Sequence, residues 1–187
     1  MKLVAVAGLV FFLAGCTSPS WTVIQQEPSN ALAGSSEFAV LPIDTSAVAS
    51  RGRSSDEVLV RKGFADGSAE VTSAFAGYLK LHAERTGGLR LHDAPEEASF
   101  VVRPKISYMD PGLVTTVYSR PSKLVMQVSI EDRLGNVLDI IEVESSTEAR
   151  SMKEAPAERY EADLRKISRR VVEYLAARSA SPEGPTL

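Results

Sequence analysis

The chain holds a single cysteine, Cys16, among its 187 residues. Nothing after it can form a disulfide, a thiolate metal site or a cysteine nucleophile, which fits an oxidising compartment where no disulfide framework is used. Histidine is nearly as scarce, with only His82 and His92. A zinc site needs three or four ligands at characteristic spacings, so no metal is expected. His82 falls on the apolar side of a predicted helix and reads as a residue at the margin of the core. His92 precedes a turn and reads as solvated. There is no Gly-x-Ser-x-Gly elbow, no glycine-rich phosphate loop and no aspartate-rich calcium loop. Glu96-Glu97 and Glu131-Asp132 are paired carboxylates, but adjacent strand residues point to opposite faces, and acidic pairs at turns are solvated surface. No catalytic residue is expected, and the chain reads as non-enzymatic. An excess of basic charge is also missing. The formal net charge is −3, whereas a nucleic-acid binder shows a basic stripe, so no nucleic-acid partner is expected. Long apolar runs are absent as well. The unbroken one from Leu3 to Ala14 falls short of the roughly 20 residues a membrane-spanning helix needs.

What that run does fit, with Lys2 before it, is the apolar core of a secretory signal peptide. Small residues then lead directly into the only cysteine. Leu13-Ala14-Gly15-Cys16 resembles the lipobox of bacterial lipoproteins. The resemblance implies that Leu13, Ala14 and Gly15 are read by the signal peptidase, that residues 1–15 are removed, and that the Cys16 thiol carries diacylglycerol. The new N-terminus would then be acylated. A covalent lipid is thus expected and no other cofactor. Two or more acyl chains anchor stably, at roughly 0.8 kcal/mol per buried methylene. Taking residues 1–15 from the 187 leaves 172, the size of one ordinary domain. Lys2 leaves with them, which makes the charge −4. Thr17 and Ser18 follow the cysteine, without the aspartate that retains many Gram-negative lipoproteins in the inner membrane. The resemblance therefore points to the outer membrane, with the domain in the periplasm.

Residues 16–36 are rich in Ser, Pro, Asn and Gly and read mostly as a tether. If flexible, 20 such residues have a root-mean-square span of roughly 25 Å. The exception is 21–24, where the only Trp precedes Thr, Val and Ile, with strand character. It is expected to dock as an edge strand, the alternative being a Trp21 that dips into the membrane interface. Residues 37–178 form the globular domain. Residues 37–43 are a near-continuous apolar run, the pattern of a buried strand, and 45–55 read as a loop. Residues 56–86 are mainly helical, with Val71, Phe75, Tyr78, Leu79 and His82 on one face. The helix starts either at Ser54, through a capping box Ser54-x-x-Glu57, or near residues 66–68, because Gly63 and Gly67 weaken the join. Gly87-Gly88 ends it. Residues 89–91 are a short strand, and Asp93 caps a following turn. Residues 100–109 are a strand in which Pro104 demands an edge or a bulge, and 113–118 continue as strand. Residues 123–132 alternate regularly and turn at Gly135-Asn136 into a partner strand over 137–147. Residues 157–178 are a helix with Tyr160, Leu164, Ile167, Val171, Tyr174, Leu175 and Arg178 on its packing side. The tail 179–187 reads as disordered. The order β-α-β-β-β-β-α predicts an α+β fold, a single mixed, largely antiparallel sheet with both helices packed on one face.

Two clusters could contact a partner or an anionic ligand. Arg165, Lys166, Arg169 and Arg170 make i,i+4 neighbours on the second helix, within reach of lipid or lipopolysaccharide phosphates or of an acidic protein, or else form a solvated face with Glu161 and Glu173. The loop holding Tyr118 and Arg120, beside Asp110-Pro111-Gly112, is an exposed turn of the kind frequent at contacts.

Phe38-Ala39-Val40-Leu41-Pro42-Ile43, then Ala98-Ser99-Phe100-Val101-Val102-Arg103-Pro104-Lys105-Ile106, then Val128 to Asp132 with Gly135-Asn136-Val137-Leu138 are similar to uncharacterised outer-membrane accessory lipoprotein families. Related arrangements occur in penicillin-binding-protein activator lipoproteins and in the N-terminal domain of TolB. The resemblance implies a fold and carries over no functional residue. The expected protein is a non-enzymatic, lipid-anchored accessory or assembly module of a cell-envelope complex, with an envelope protein partner. The alternative is a binding module for lipid, lipopolysaccharide or glycan.

Overall fold

The computed structural model describes residues 21–46, 48–50, 54–148 and 156–180. Leu13, Ala14, Gly15, Cys16 and the tail beyond 180 lie outside the described residues.

Three strands of 11 residues each, β5 (Phe100–Asp110), β8 (Ser122–Asp132) and β9 (Val137–Thr147), are the centre of the fold. They pair antiparallel. Alternate residues point to one face, and there Leu124, Met126, Val128, Ile130, Ile141 and Val143 are all completely buried. Flanking strands complete the sheet: β1 (Thr22–Gln25) at the β9 edge, then β2 (Glu37–Val40) and β4 (Arg90–His92) beyond β5, in the order β1-β9-β8-β5-β2-β4. A two-residue β3 (Ala49–Ser50) pairs with the far end of β5. The pairings of β2 with β4 and β5, and of β3 with β5, are parallel. Two helices, α1 (Ser54–Thr86) and α2 (Pro156–Ala180), pack on each other and on the sheet. The architecture is α+β, one mixed sheet with a helical layer. α1 starts at Ser54 and runs through Gly63 and Gly67 without a break. It stops where Gly87 and Gly88 both take positive φ, 73° and 83°. α2 buries Leu164, Ile167, Val171 and Leu175 against β8 and β9, the stripe its 3.6-residue period predicts.

Several expectations need correction. The stretch 26–36 is no loose tether: Asn30 and Leu32 are buried, and it wraps the C-terminal end of α2. The 113–118 strand is replaced by two short strands, β6 (Leu113–Val114) and β7 (Ser119–Arg120), which pair only with each other. Asp93 caps nothing; the 3-10 turn Pro95–Glu97 has Ala94 at its start, and Asp93 instead receives a 2.6 Å bond from Lys80. His92 is not simply solvated, since its Nδ1 lies 3.1 Å from Glu97 Oε2. The loop 45–55 contains β3. The second helix runs on through Ser179 to Ala180.

Pro104 lies on a central strand and is tolerated there for a local reason. Val40 pairs with Val102, Leu41 N–H donates to Val102 O at 3.0 Å, and the chain then leaves the ladder through Pro42 and Ile43. It rejoins at Asp44, whose N–H donates to Pro104 O and whose O accepts from Ile106 N. The N–H and C=O of one strand residue point to the same side, so the missing donor of Pro104 faces the two residues that loop out.

Candidate functional site

The segment that would join a lipid to the domain is built into the structure. β1 pairs antiparallel with β9, Thr22 opposite Glu142 and Val23 opposite Ile141. The Trp21 ring meets the Tyr174 ring edge-on, with centroids 5.6 Å apart and planes at 79°. Beyond Gln25 the chain is held by a buried ion pair. Arg178 and Asp139 are both 0% exposed, with Arg178 Nε donating to Asp139 Oδ2 at 2.8 Å and Nη2 to Oδ1 at 3.1 Å. Asp139 also accepts from Tyr174 Oη at 2.7 Å and from Glu27 N–H at 3.0 Å, while Arg178 Nη2 donates to Glu27 O at 3.2 Å. Burial, then the bond to Asp139, push the Tyr174 phenol well above its ordinary pKa, so it stays a donor. Asn30 Nδ2 donates to Arg178 O and Gly34 N–H to Ser179 O. Helix end, sheet edge and N-terminal strap thus close on each other. Four residues, 17–20, separate Cys16 from Trp21.

The four cations of α2 are divided between two sides. Arg165 stacks over the Tyr78 ring of α1 at 4.8 Å and donates to Tyr78 Oη and Glu161 Oε1; Tyr78 Oη donates in turn to Glu161. Arg169 pairs with Glu173 at 3.5 Å. Lys166 and Arg170 turn instead to the sheet edge, at β9 residues beyond the last one that β1 covers. Arg170 Nη1 donates to Glu144 O, and Lys166 Nζ to Ser146 O at 2.6 Å and Thr147 Oγ1 at 2.8 Å. Cations laid over free strand carbonyls protect an open edge from pairing with another chain. Beneath them the buried Asp163 accepts from Ser122, Ser145 and Thr147 hydroxyls at 2.7, 2.8 and 2.7 Å. No basic residue in this row makes a shared pocket with the other three.

Tyr118 and Arg120 belong to a short arm that leaves the sheet between β5 and β8. Its base is rigid. Buried Asp110 accepts from Arg120 Nη2 and from Gly112 N–H, both at 2.9 Å, and Arg159 Nη2 donates to Pro111 O at 2.8 Å. Gly112 has φ 72°, and a Cβ there would lie 2.6 Å from Arg120 O, so only glycine fits. Thr115 Oγ1 accepts from Tyr118 N–H and ties the tip. On this fixed frame Leu113, Val117 and Tyr118 are 48%, 93% and 55% exposed. Arg120 is spent on Asp110; Tyr118 is the member of the predicted pair offered to solvent.

The remaining polar groups are engaged in structure. Glu131 forms a two-pronged pair with Arg103 at 2.9 and 3.0 Å, which holds its carboxyl below the usual range. Asp132 caps the β8–β9 turn through Leu134 and Asn136. His82 is at the core margin, and burial lowers its pKa. An open groove between α1 and residues 40–46 has small residues on its α1 wall and Val40 to Ile43 on the other, with Lys80 and Asp93, already paired, at its end. Among the described residues no three His, Cys, Asp or Glu side chains converge on a metal position, and no helix is long and apolar enough to cross a membrane.

No family model matches the chain, and no curated protein matches it. Several solved structures are similar. The PelC dodecamer from Paraburkholderia phytofirmans is 12% identical, with 80% of this chain and 96% of that chain covered and a TM-score of 0.45. The hypothetical protein CT253 from Chlamydia trachomatis is 14% identical, with coverages of 76% and 99% and a TM-score of 0.46. A minor lipoprotein from Acinetobacter baumannii is 11% identical, with coverages of 75% and 92% and a TM-score of 0.42. Bacterial lipoproteins are therefore among the structures this chain is similar to; at these identities and scores the likeness assigns no function.

Proposed function

We propose that this chain is a lipid-anchored, non-enzymatic protein of the bacterial cell envelope, carried on the outer membrane through Cys16 and presenting its α+β domain to a protein partner. The observation that carries the reading is the junction between Leu13-Ala14-Gly15-Cys16 and a strap locked to the domain from Trp21 onward. A lipobox followed within five residues by an edge strand is a device for holding a folded domain close to a membrane. The Asp139–Arg178 pair, completely buried, keeps that strap from peeling away.

The test is membrane fractionation of the full chain beside Cys16→Ala, followed by in-cell crosslinking and mass spectrometry. Cys16→Ala is expected to yield a folded domain that no longer sediments with membranes, and the lipidated chain to capture one dominant protein that the variant loses. Continued membrane binding by Cys16→Ala would sink the anchoring. Co-purification of lipid or glycan with no protein would move the reading to an envelope-ligand module. Against a four-cation ligand site stands the division of the α2 row, in which Arg165 and Arg169 already have carboxylate partners.

A further inference from the structure

Three features gather at one end of the sheet. The first is the entry of the chain. β1 is antiparallel to β9 and Thr22 lies opposite Glu142, so the chain arrives from the side of β9 that leads to Thr147. Thr147 is four residues past Val143, about 13 Å at the rise of a strand. Cys16 is five residues from Trp21, a covalent reach of at most about 18 Å. Cys16 can therefore reach the Thr147 end of the sheet, whereas the opposite turn at residues 133–136 begins beyond Val137, six residues from Val143 and about 20 Å away, past that reach.

The second feature is the arm. Ser122 pairs with Thr147, and Lys123 with Asp110, so the base of the arm sits at this same end, one to two strands from the edge. Leu113, Val117 and Tyr118 are the exposed apolar groups there. Val117 is almost fully exposed on a frame that a buried carboxylate and a mandatory glycine keep from collapsing onto the domain. A fold that uses the buried Asp110 carboxylate to hold apolar side chains in water has them in contact with something else when at work. The third feature is charge. Lys166 and Arg170 border the same end: Arg170 donates to Glu144 O, and Lys166 donates to Ser146 O and Thr147 Oγ1 with the buried Asp163 carboxylate 3.8 Å away.

We infer that this end is a membrane-docking end: with Cys16 anchored, the arm places Val117, Leu113 and the Tyr118 ring at the head-group boundary of an anionic bilayer, with Lys166 and Arg170 beside it among the phosphates. An apolar tip flanked by a tyrosine and cations is the pattern that interfacial segments use. This rests on the anchoring proposed above and adds an orientation to it.

The experiment uses the full lipidated chain in vesicles of phosphatidylglycerol and phosphatidylethanolamine, with brominated lipid as quencher. One tryptophan is added at Val117, and in a second protein at Leu134, which is 87% exposed at the opposite end of the sheet; the native Trp21 signal is subtracted with the unsubstituted protein. Val117→Trp should shift to the blue and be quenched several-fold more than Leu134→Trp. Arg170→Gln, which keeps a donor for Glu144 O, should weaken the quenching at position 117 in anionic vesicles and leave it unchanged in neutral ones. Equal quenching at both positions, with the protein still floating with the vesicles, overturns this inference alone, as does capture of a protein at position 117 without quenching. Failure of the lipidated chain to float overturns the anchoring and this inference together.

Discussion

Asp139→Ala tests whether the strap is as firmly built as its contacts indicate. The substitution leaves the Arg178 guanidinium completely buried without its paired carboxylate, and strands the Tyr174 hydroxyl and the Glu27 N–H without their acceptor. Removing one partner of a buried pair costs about 3–5 kcal/mol, chiefly because the other charge stays uncompensated. At about 2–4 °C per kcal/mol for a chain of this length, the melting temperature should fall by roughly 6–20 °C. Urea denaturation and a thermal melt measure the loss, and limited proteolysis should locate the first new cleavages within 21–36. The double variant Asp139→Leu/Arg178→Met removes both charges together and should cost less than Asp139→Ala alone, because no orphan charge remains. A loss below about 1 kcal/mol for Asp139→Ala, or a double variant no better than the single, would refute the reasoning: Arg178 would then be reaching water in solution, and the strap would be held by something else.

Two further substitutions probe the arm and the open sheet face. Gly112→Ala places a Cβ 2.6 Å from a backbone oxygen at a φ of 72°; it should destabilise by about 2 kcal/mol or more in urea unfolding and should also weaken the lipid quenching proposed for position 117. Glu131→Gln removes a carboxylate whose pKa Arg103 holds below 4.5. A depressed carboxyl stabilises fully above its unfolded pKa and loses that contribution as pH falls through the folded value. The variant should accordingly melt lower than the parent at pH 7, with the gap closing below about pH 4.5; an unchanged gap at pH 3 would deny the pairing.

Much of this fold was legible because burial imposes a period. The stripe on α2 from Leu164 to Leu175 and the alternation of Leu124, Met126, Val128 and Ile130 are direct consequences of helical and strand geometry, and the structure buries all of them. Arg178 fell on the packing stripe, yet its partner was invisible: Asp139 is 39 residues away, and the two meet only because β9 runs antiparallel to α2 in one register. Residues 26–36 were misread because Ser, Pro, Asn and Gly describe a tether and a sequence of tight turns equally well. Asn30 at φ 47° and Gly34 at φ 73° are turn residues that fold the segment back, and Leu32, the lone branched apolar residue among them, was the signal that it had somewhere to go. The α2 cations were correctly paired by i,i+4 spacing, but spacing does not say which pair faces α1 and which faces an open sheet edge.

That misreading changes the physical meaning of the anchor. Twenty flexible residues would let every face of the domain visit the membrane, and the membrane contact would carry no orientation. An anchor at Cys16 would stand only four residues from Trp21, which narrows that freedom to a reach of about 18 Å. Acyl chains on Cys16 would hold one end of the sheet near the bilayer, so weak surface groups at that end would act at high local concentration. An exposed Val117 and the neighbouring Lys166 and Arg170 would bind a membrane poorly by themselves. Placed within reach of Cys16 they need supply only the difference between one orientation and another. By the same geometry the β8–β9 turn with Leu134 and the C-terminal end of α2 would face away from an anchoring membrane and would be the end left open to the proposed protein partner.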